Sequence, residues 1–266
     1  MLLFFSQQEY PKNKRVKKYQ NMDNNSLEIL YQDKYLVAIN KPSGLLVHRS
    51  PIDRHETRFA LQMLRDQIGK FVYPIHRLDK PTSGILLFAL DSDIAHALSF
   101  QFRANRVDKE YIAVVRGYTK EEEIIDYPLK FLYDKKADRD SNSIQEPKEA
   151  QTLYQRLATI ELPYAVSRYP VVRYSLVKLL PKTGRKHQLR RHLKHIFHPI
   201  VGDTKYGRGE HNILFREKFA SHRLLLSATK LSFKHPITQE SITLKAPLDG
   251  VFQEIIEKFG WGNIEY

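Results

Sequence analysis

Pro74-Ile75-His76-Arg77-Leu78-Asp79-Lys80-Pro81-Thr82-Ser83-Gly84, followed at once by Ile85-Leu86-Leu87-Phe88-Ala89-Leu90, is the stretch that decides how this chain is read. Its second half is an apolar run of strand length, the pattern of a buried strand. Its first half sets one carboxylate, Asp79, between Arg77 and Lys80 and ends in proline, serine and glycine turn chemistry. An acid in a loop anchored on a rigid strand is well placed for chemistry. Taken alone, an aspartate in a loop containing proline and glycine is more often a turn former, so the rest of the chain must decide.

Upstream, residues 27–31 and 35–39 are strand-like runs separated by Gln32-Asp33-Lys34, which predicts a hairpin; Lys41-Pro42-Ser43-Gly44 then breaks the second strand. Residues 57–68 place Phe59, Leu61, Met63, Leu64 and Ile68 at helical spacing, with Gly69 as the stop. Downstream of the Asp79 loop, Ser92 is expected to cap a helix with Ile94, Ala95, Leu98 and Phe102 on one face. That helix leads to a strand over 109–117. Residues 134–149 turn charged and polar and read as a surface loop, or as a segment that orders on RNA. Strands resume over 151–157 and 173–180, the latter running into Pro181-Lys182-Thr183-Gly184 and a basic helix. A last pair, 224–233 and 241–245, flanks the turn His235-Pro236-Ile237-Thr238. Hairpins mixed irregularly with helices predict an α+β fold with a mixed sheet, not repeating βαβ units.

A chain of 266 residues, 42% of them hydrophobic, can bury a sizeable core and fits one large domain. The formal net charge is +13 and the isoelectric point about 9.6, so a polyanion is drawn to this surface, nucleic acid first. Zero cysteines exclude disulfides, thiolate metal sites and a cysteine nucleophile. Met1-Leu2-Leu3-Phe4-Phe5 is too short for a secretory core and has no basic residues before it, and no later segment is long enough to span a membrane; a cytoplasmic protein is expected. Residues 1–26 read as a basic extension without fixed structure, either an RNA-contacting arm or text preceding a true start at Met22; residues 27–266 read as one domain.

The stretch 182–195 carries Lys182, Arg185, Lys186, Arg190, Arg191 and Lys194 and no acid, a density suited to a phosphate backbone. Its glycine turn before a helix adds backbone donors for phosphate. His187, His192, His195 and His198 lie in or near it, yet without cysteine or carboxylate ligands and among cations that repel a divalent ion, so no metal is expected.

The sequence resembles the RluA class of pseudouridine synthases, in which His-Arg-Leu-Asp followed by Thr-Ser-Gly surrounds the catalytic aspartate. Asn40-Lys41-Pro42-Ser43-Gly44, Lys109-Glu110-Tyr111, Thr183-Gly184-Arg185-Lys186-His187-Gln188-Leu189-Arg190-Arg191-His192, Gly202-Asp203-Thr204-Lys205-Tyr206-Gly207 and His235-Pro236-Ile237-Thr238 look like the other motifs of that class, in its order. Leu45-Leu46-Val47-His48-Arg49-Ser50, the run from Leu180 to His187 and Phe259-Gly260-Trp261 are most similar to the branch acting on uridine 65 of tRNA. The resemblance implies a largely antiparallel central sheet with flanking helices whose cleft isomerises a uridine without a cofactor or metal. It implies that Asp79 is the catalytic carboxylate, attacking as a nucleophile or removing a ribose proton to leave a glycal. Arg190 matches the arginine that pairs with that acid, and Tyr111 the aromatic residue facing the target base. Arg77, Lys109, Lys182, Arg185, Lys186 and Arg191 are the expected RNA contacts, with His76 and Thr82 shaping the loop. Ser227 departs from the class, whose members often carry histidine there. The lack of a small appended RNA-binding module favours a tRNA substrate, bound by a monomer. The remaining alternatives are the same chemistry on ribosomal RNA or several RNAs, and an RNA-binding protein without catalysis.

Overall fold

The hairpin expected at the start of the domain is there: β1 (Glu28–Gln32) runs antiparallel to β2 (Leu36–Lys41), and Asp33 closes the turn by accepting from the backbone N–H groups of Tyr35 and Leu36. The structure, a computed structural model, describes residues 26–49, 55–131 and 146–266. The basic extension, except Ser26, and the charged loop over 134–145 therefore lie outside the described residues. Helix α1 (Ala60–Ile68) ends at Gly69 as predicted. It begins later than its periodicity implied, because Phe59 is extended and bridges Leu46. The short β3 (Tyr73–Pro74) leads through the Asp79 loop into β4 (Ser83–Ala89), buried at every residue.

Helix α2 (Ser92–Arg103) is capped by Asp91, not Ser92: the Asp91 carboxylate accepts from Asp93 and Ile94 N–H, and a carboxylate at that end also meets the positive pole of the helix. Then come β5 (Asp108–Arg116), β6 (Glu122–Asp126), β7 (Gln151–Leu162), β8 (Val172–Pro181), α3 (Gln188–His195), α4 (Gly209–Phe219), β9 (Leu226–Lys234), β10 (Ser241–Lys245) and α5 (Gly250–Lys258). All ten strands of the described residues join one sheet with the path β1-β2-β4-β9-β5-β8-β7-β6, β3 lying beside β4 and β10 beside β9. The α+β expectation holds, and every pairing but one is antiparallel.

The exception organises the molecule. β4 and β9 meet in parallel through Ser83↔Ser227 and Gly84↔Ala228. Beyond those two rungs they part, and the edge each exposes takes a different strand, β3 on β4 and β10 on β9. The sheet thus has two wings joined at a seam, and the Asp79 loop enters β4 there. Gly84 makes the seam possible: at φ +106° a Cβ on it would lie 2.1 Å from the Ala228 carbonyl oxygen. Each wing is covered on both faces. Leu36, Leu87 and Leu98 lie on one face of the first wing and Ile39, Leu64 and Phe88 on the other. In the second wing Ile112 and Tyr174 share a core with Phe215 of α4 and Phe252 of α5, and Val115 and Val177 share one with Leu193 of α3. No described helix is long and apolar enough to cross a membrane.

Candidate active site

The loop that carries Asp79 is held from beneath by the residues that end β2. Lys41 is fully buried, and its ammonium donates to the carbonyls of Pro42 at 2.7 Å, Leu45 at 2.8 Å and Lys80 at 3.2 Å. Three N–H groups meet three oxygens. Burial pushes its pKa down to about 7, the Arg223 charge adding to the drop and Asp79 opposing it. Gly44 N–H donates to the Lys80 carbonyl at 2.9 Å and the Ser43 hydroxyl to that of Pro81 at 2.8 Å. Two loops distant in sequence are thereby fastened together, and Thr82 N–H closes the turn on the Asp79 carbonyl at 3.0 Å.

Helix α3 brings the cation. Leu189 and Leu193 pack into the core with Val177 and Leu179, which fixes the rotation of the helix. The Gln188 carboxamide ties its first turn to Thr183, Arg185, Gln151 and Thr152. With that phase set, Arg190 reaches the cleft and donates through Nη1 to Asp79 Oδ2 at 3.0 Å. Nε meets Asp203 Oδ2 at 2.7 Å and Nη2 meets Asp203 Oδ1 at 2.9 Å. Asp203 also accepts from the N–H groups of Lys205 and Tyr206. Burial alone would raise the Asp203 pKa, but the hydrogen bonds and charge of Arg190 outweigh it and hold the acid below its usual range. Burial works against Arg190 as well, and the two carboxylates more than offset it. The guanidinium also lies over the Tyr206 ring, 5.1 Å from its centroid.

Tyr111 lines the same cleft as Asp79 and Arg190, a space of about 550 Å³. A β-bulge aims it: β5 pairs Glu110 with Lys230 and then Tyr111 with Ala228, so Thr229 is the extra residue. Burial and then the Asp79 charge push the phenol above its ordinary range, so at neutral pH it keeps its proton and offers a ring face and a donor. Arg77, Lys109, Arg185 and Lys186 line this cleft too, Arg185 also donating to the Glu149 carbonyl. Lys182 lines an adjoining cleft of about 250 Å³ that shares Asn105, Lys109 and Pro181 with the first. Arg191 lines neither and sits half-buried on α3. His76 accepts from Leu87 N–H and stacks on Phe102, and burial followed by the Lys109 charge takes its pKa down to about 3.

Sequence reading placed Asp79, Arg190 and Tyr111 but assigned no role to Asp203, Lys41 or Tyr206. The signal for Asp203 was present as an acid inside Gly202-Asp203-Thr204-Lys205-Tyr206-Gly207, yet an acid in a glycine turn looks like a turn former. At the departure, the buried Ser227 hydroxyl accepts from Ser83 at 3.0 Å across the seam, and Ser83 in turn accepts from Arg223. The four histidines near α3 go separate ways: His187 to Tyr206, His192 to Thr152 and the Tyr127 carbonyl, His195 onto the Tyr127 ring, His198 to the Arg116 carbonyl. Among the described residues no three side chains of metal-ligand type converge.

The profile of the RNA pseudouridylate synthase family matches residues 35–195, a span that holds the Asp79 loop, β5 and α3. The protein named tRNA pseudouridine synthase C in Haemophilus influenzae is 56% identical over 238 residues, covering 90% of this chain and 100% of that one. Its namesake in Vibrio parahaemolyticus is 53% identical over 235 residues, 88% of this chain and 96% of the relative. Among solved structures, human RNA pseudouridylate synthase domain containing 4 superposes with a TM-score of 0.65 at 28% identity, covering 88% of this chain and 93% of its own. Since the profile runs through the Asp79 loop, β5 and α3, and relatives match along about nine-tenths of the sequence, the chain belongs to the RNA pseudouridylate synthase family.

Proposed function

We propose that this enzyme isomerises a uridine of tRNA to pseudouridine, with Asp79 as the catalytic carboxylate, Arg190 as its ion-pair partner and Tyr111 against the target base. The observation that carries the reading is the asymmetry at Asp79. Arg190 occupies Oδ2 at 3.0 Å, while the nearest partner of Oδ1 among the described ion pairs is His187 Nε2 at 3.7 Å, beyond hydrogen-bond length, and Asp79 lines the cleft. One oxygen fixes the carboxylate and the other is open to a substrate. The reaction breaks the bond between ribose C1′ and base N1, turns the base and joins C1′ to C5, which gives up its hydrogen while N1 gains one. An ionised oxygen begins either route, by attack on the substrate or by removing a ribose proton. The base must first leave its stack, at a cost of about a few kcal/mol. Arg77, Lys109, Arg185, Lys186 and, further along, Lys182 are the cations that offset this cost by holding the backbone, with Arg191 behind them on α3.

tRNA is favoured because the relatives named above carry tRNA in their names, and uridine 65 because the branch resemblance points there. Action as a monomer in the cytoplasm completes this reading, the absence of cysteine agreeing with a reducing compartment. The test is tritium release from tRNA labelled at uridine C5, followed by mapping of the product. Asp79→Asn should abolish release and leave tRNA affinity within about twofold, since it removes charge with little change of shape. Surviving turnover would reject Asp79, and product at another position would reject uridine 65.

A further inference from the structure

His187 holds the N-cap position of α3 with φ 56° and ψ 28°, the left-handed region that non-glycine residues enter at a cost. The strain does not serve the helix, because the side chain makes no capping hydrogen bond. The imidazole instead sits between two site residues. Its Nδ1 is 2.9 Å from the Tyr206 hydroxyl, and its Nε2 is 3.7 Å from Asp79 Oδ1, the oxygen Arg190 leaves open. His187 and Arg190 approach opposite oxygens of one carboxylate, the imidazole from the N-cap of α3 and the guanidinium from its first turn. Tyr206 supports both, its hydroxyl on the imidazole and its ring under the guanidinium.

Burial takes the His187 pKa down to about 4, with Asp79 opposing the drop and Arg190, Lys205 and Lys186 adding to it, so the ring is neutral at neutral pH. A neutral imidazole has one N–H. With the ring proton on Nε2 facing the carboxylate, Nδ1 is left to accept from the Tyr206 phenol, which burial keeps protonated. The other tautomer would set a lone pair against an anion.

We propose that His187 is a positioning residue, whose Nε2–H orients Asp79 Oδ1 toward the ribose and uracil and closes from its present distance to a hydrogen bond when the uridine enters. A neutral donor is suited to this role because it steers the oxygen without adding a second full positive charge that would blunt its reactivity. Contacts of this kind are often long in the empty enzyme and tighten around substrate. The inference rests on Asp79 being the catalytic carboxylate.

Four variants assayed by tritium release on one tRNA decide it. His187→Phe keeps the ring shape without the donor, and should lower kcat about tenfold to a hundredfold with KM changed by less than about twofold. His187→Gln, whose amide nitrogen can reach the position of Nε2, should recover at least about fivefold of that loss. Tyr206→Phe should lower kcat as well, and the double variant should be no slower than His187→Phe alone, because the phenol acts through the imidazole. Wild-type kcat in folded His187→Phe, a change confined to KM, no rescue by glutamine, or additive losses with Tyr206→Phe would each overturn it. If His187→Phe does not fold, wild-type kcat in Tyr206→Phe overturns it. Asp79→Asn in parallel separates the two failures: turnover there rejects the catalytic reading itself, whereas a dead Asp79→Asn beside a normal His187→Phe rejects only the positioning role.

Discussion

Replacing Asp203 by asparagine removes one of the two negative charges that share the Arg190 guanidinium while leaving the shape almost unchanged. Asp203 is the stronger partner: its side chain is 0% exposed and takes two N–H groups at 2.7 and 2.9 Å, against one at 3.0 Å for Asp79, which is 20% exposed. An amide has a single acceptor oxygen, so one Arg190 donor would face an NH₂ group in a dry site. Breaking a buried pair by removing one partner costs about 3–5 kcal/mol, and because Asp79 remains to neutralise Arg190 the lower end applies, about 3 kcal/mol. At about 2 °C per kcal/mol for a chain of this size, Tm should fall by about 6 °C. The activity consequence is larger than that suggests, since a loosened guanidinium no longer fixes Asp79 Oδ2, and kcat should fall at least about tenfold. pH supplies a second signature. The folded-state pKa of Asp203 lies below the ordinary 3.8, so the unfolded chain binds the proton more readily and the stabilisation is complete above that value and lost as pH falls through the folded pKa. The Tm gap between wild type and variant should therefore stay level at about pH 5 to 8 and close in acid below about pH 4. Calorimetric melts across pH and tritium release at neutral pH measure both. A variant melting within about 1 °C of wild type with unchanged kcat would refute the view that Asp203 holds Arg190 in place.

Two further outcomes follow from the seam and the basic walls. Gly84→Ala puts a Cβ against the Ala228 carbonyl at a φ alanine avoids, costing roughly 2–6 kcal/mol and displacing the loop that carries Asp79; a Tm unchanged in a thermal melt would mean that β4 and β9 do not approach this closely. Lys182→Gln with Lys186→Gln should weaken tRNA binding regardless of sequence and make the log–log salt slope shallower by about 1 to 2, as measured by filter binding from low to moderate salt; an identical slope would put the phosphates elsewhere.

What the sequence revealed and what it hid divide along a physical line. Features written in neighbouring residues were legible. The apolar run that became β4, the turn that became the Asp79 loop and the acid-free stretch that became α3 needed no distant partner to be recognised. α5 carried an equally local signal in Phe252, Ile255 and Ile256 behind the Asp249 cap and was passed over. α4 had little to offer: it starts at a glycine, has no side-chain cap, and buries Leu214, Phe215 and Phe219 at a spacing that barely marks a face. β6, Glu-Glu-Ile-Ile-Asp, is an edge strand that exists through its pairing with β7, which nothing in its own text reveals. The site divides in the same way. Asp79 stood in a conspicuous local setting and Tyr111 and Arg190 were reached through the resemblance, whereas the meaning of Asp203 lies in a hydrogen bond to a helix begun fifteen residues earlier, and that of Lys41 in the carbonyl of Lys80. Residue type does not reveal a pairing partner, so Lys41 read as the end of a strand and not as the anchor of a loop.

A cleft built to hold a polyanion poses a problem for a chemistry that needs a free carboxylate. Arg77, Lys109, Arg185 and Lys186 all border the space around Asp79, and a long flexible cation swinging onto Oδ1 would cap the oxygen that has to react. Arg190 answers this because it is not flexible: Asp203 grips its Nε and Nη2, Tyr206 lies under its face, and Nη1 is held at a fixed angle for Oδ2. A lysine at position 190, with a single mobile ammonium, could not divide itself between two carboxylates in this way. Charge neutralisation is thus delivered to one side of Asp79 only. In the proposed complex the bordering cations meet phosphate, and each such contact would lower the positive potential competing for Oδ1. With Asp79 as the proposed reacting acid, RNA binding and its reactivity are in this sense coupled, since the substrate's own phosphates would occupy the groups that could otherwise quench it.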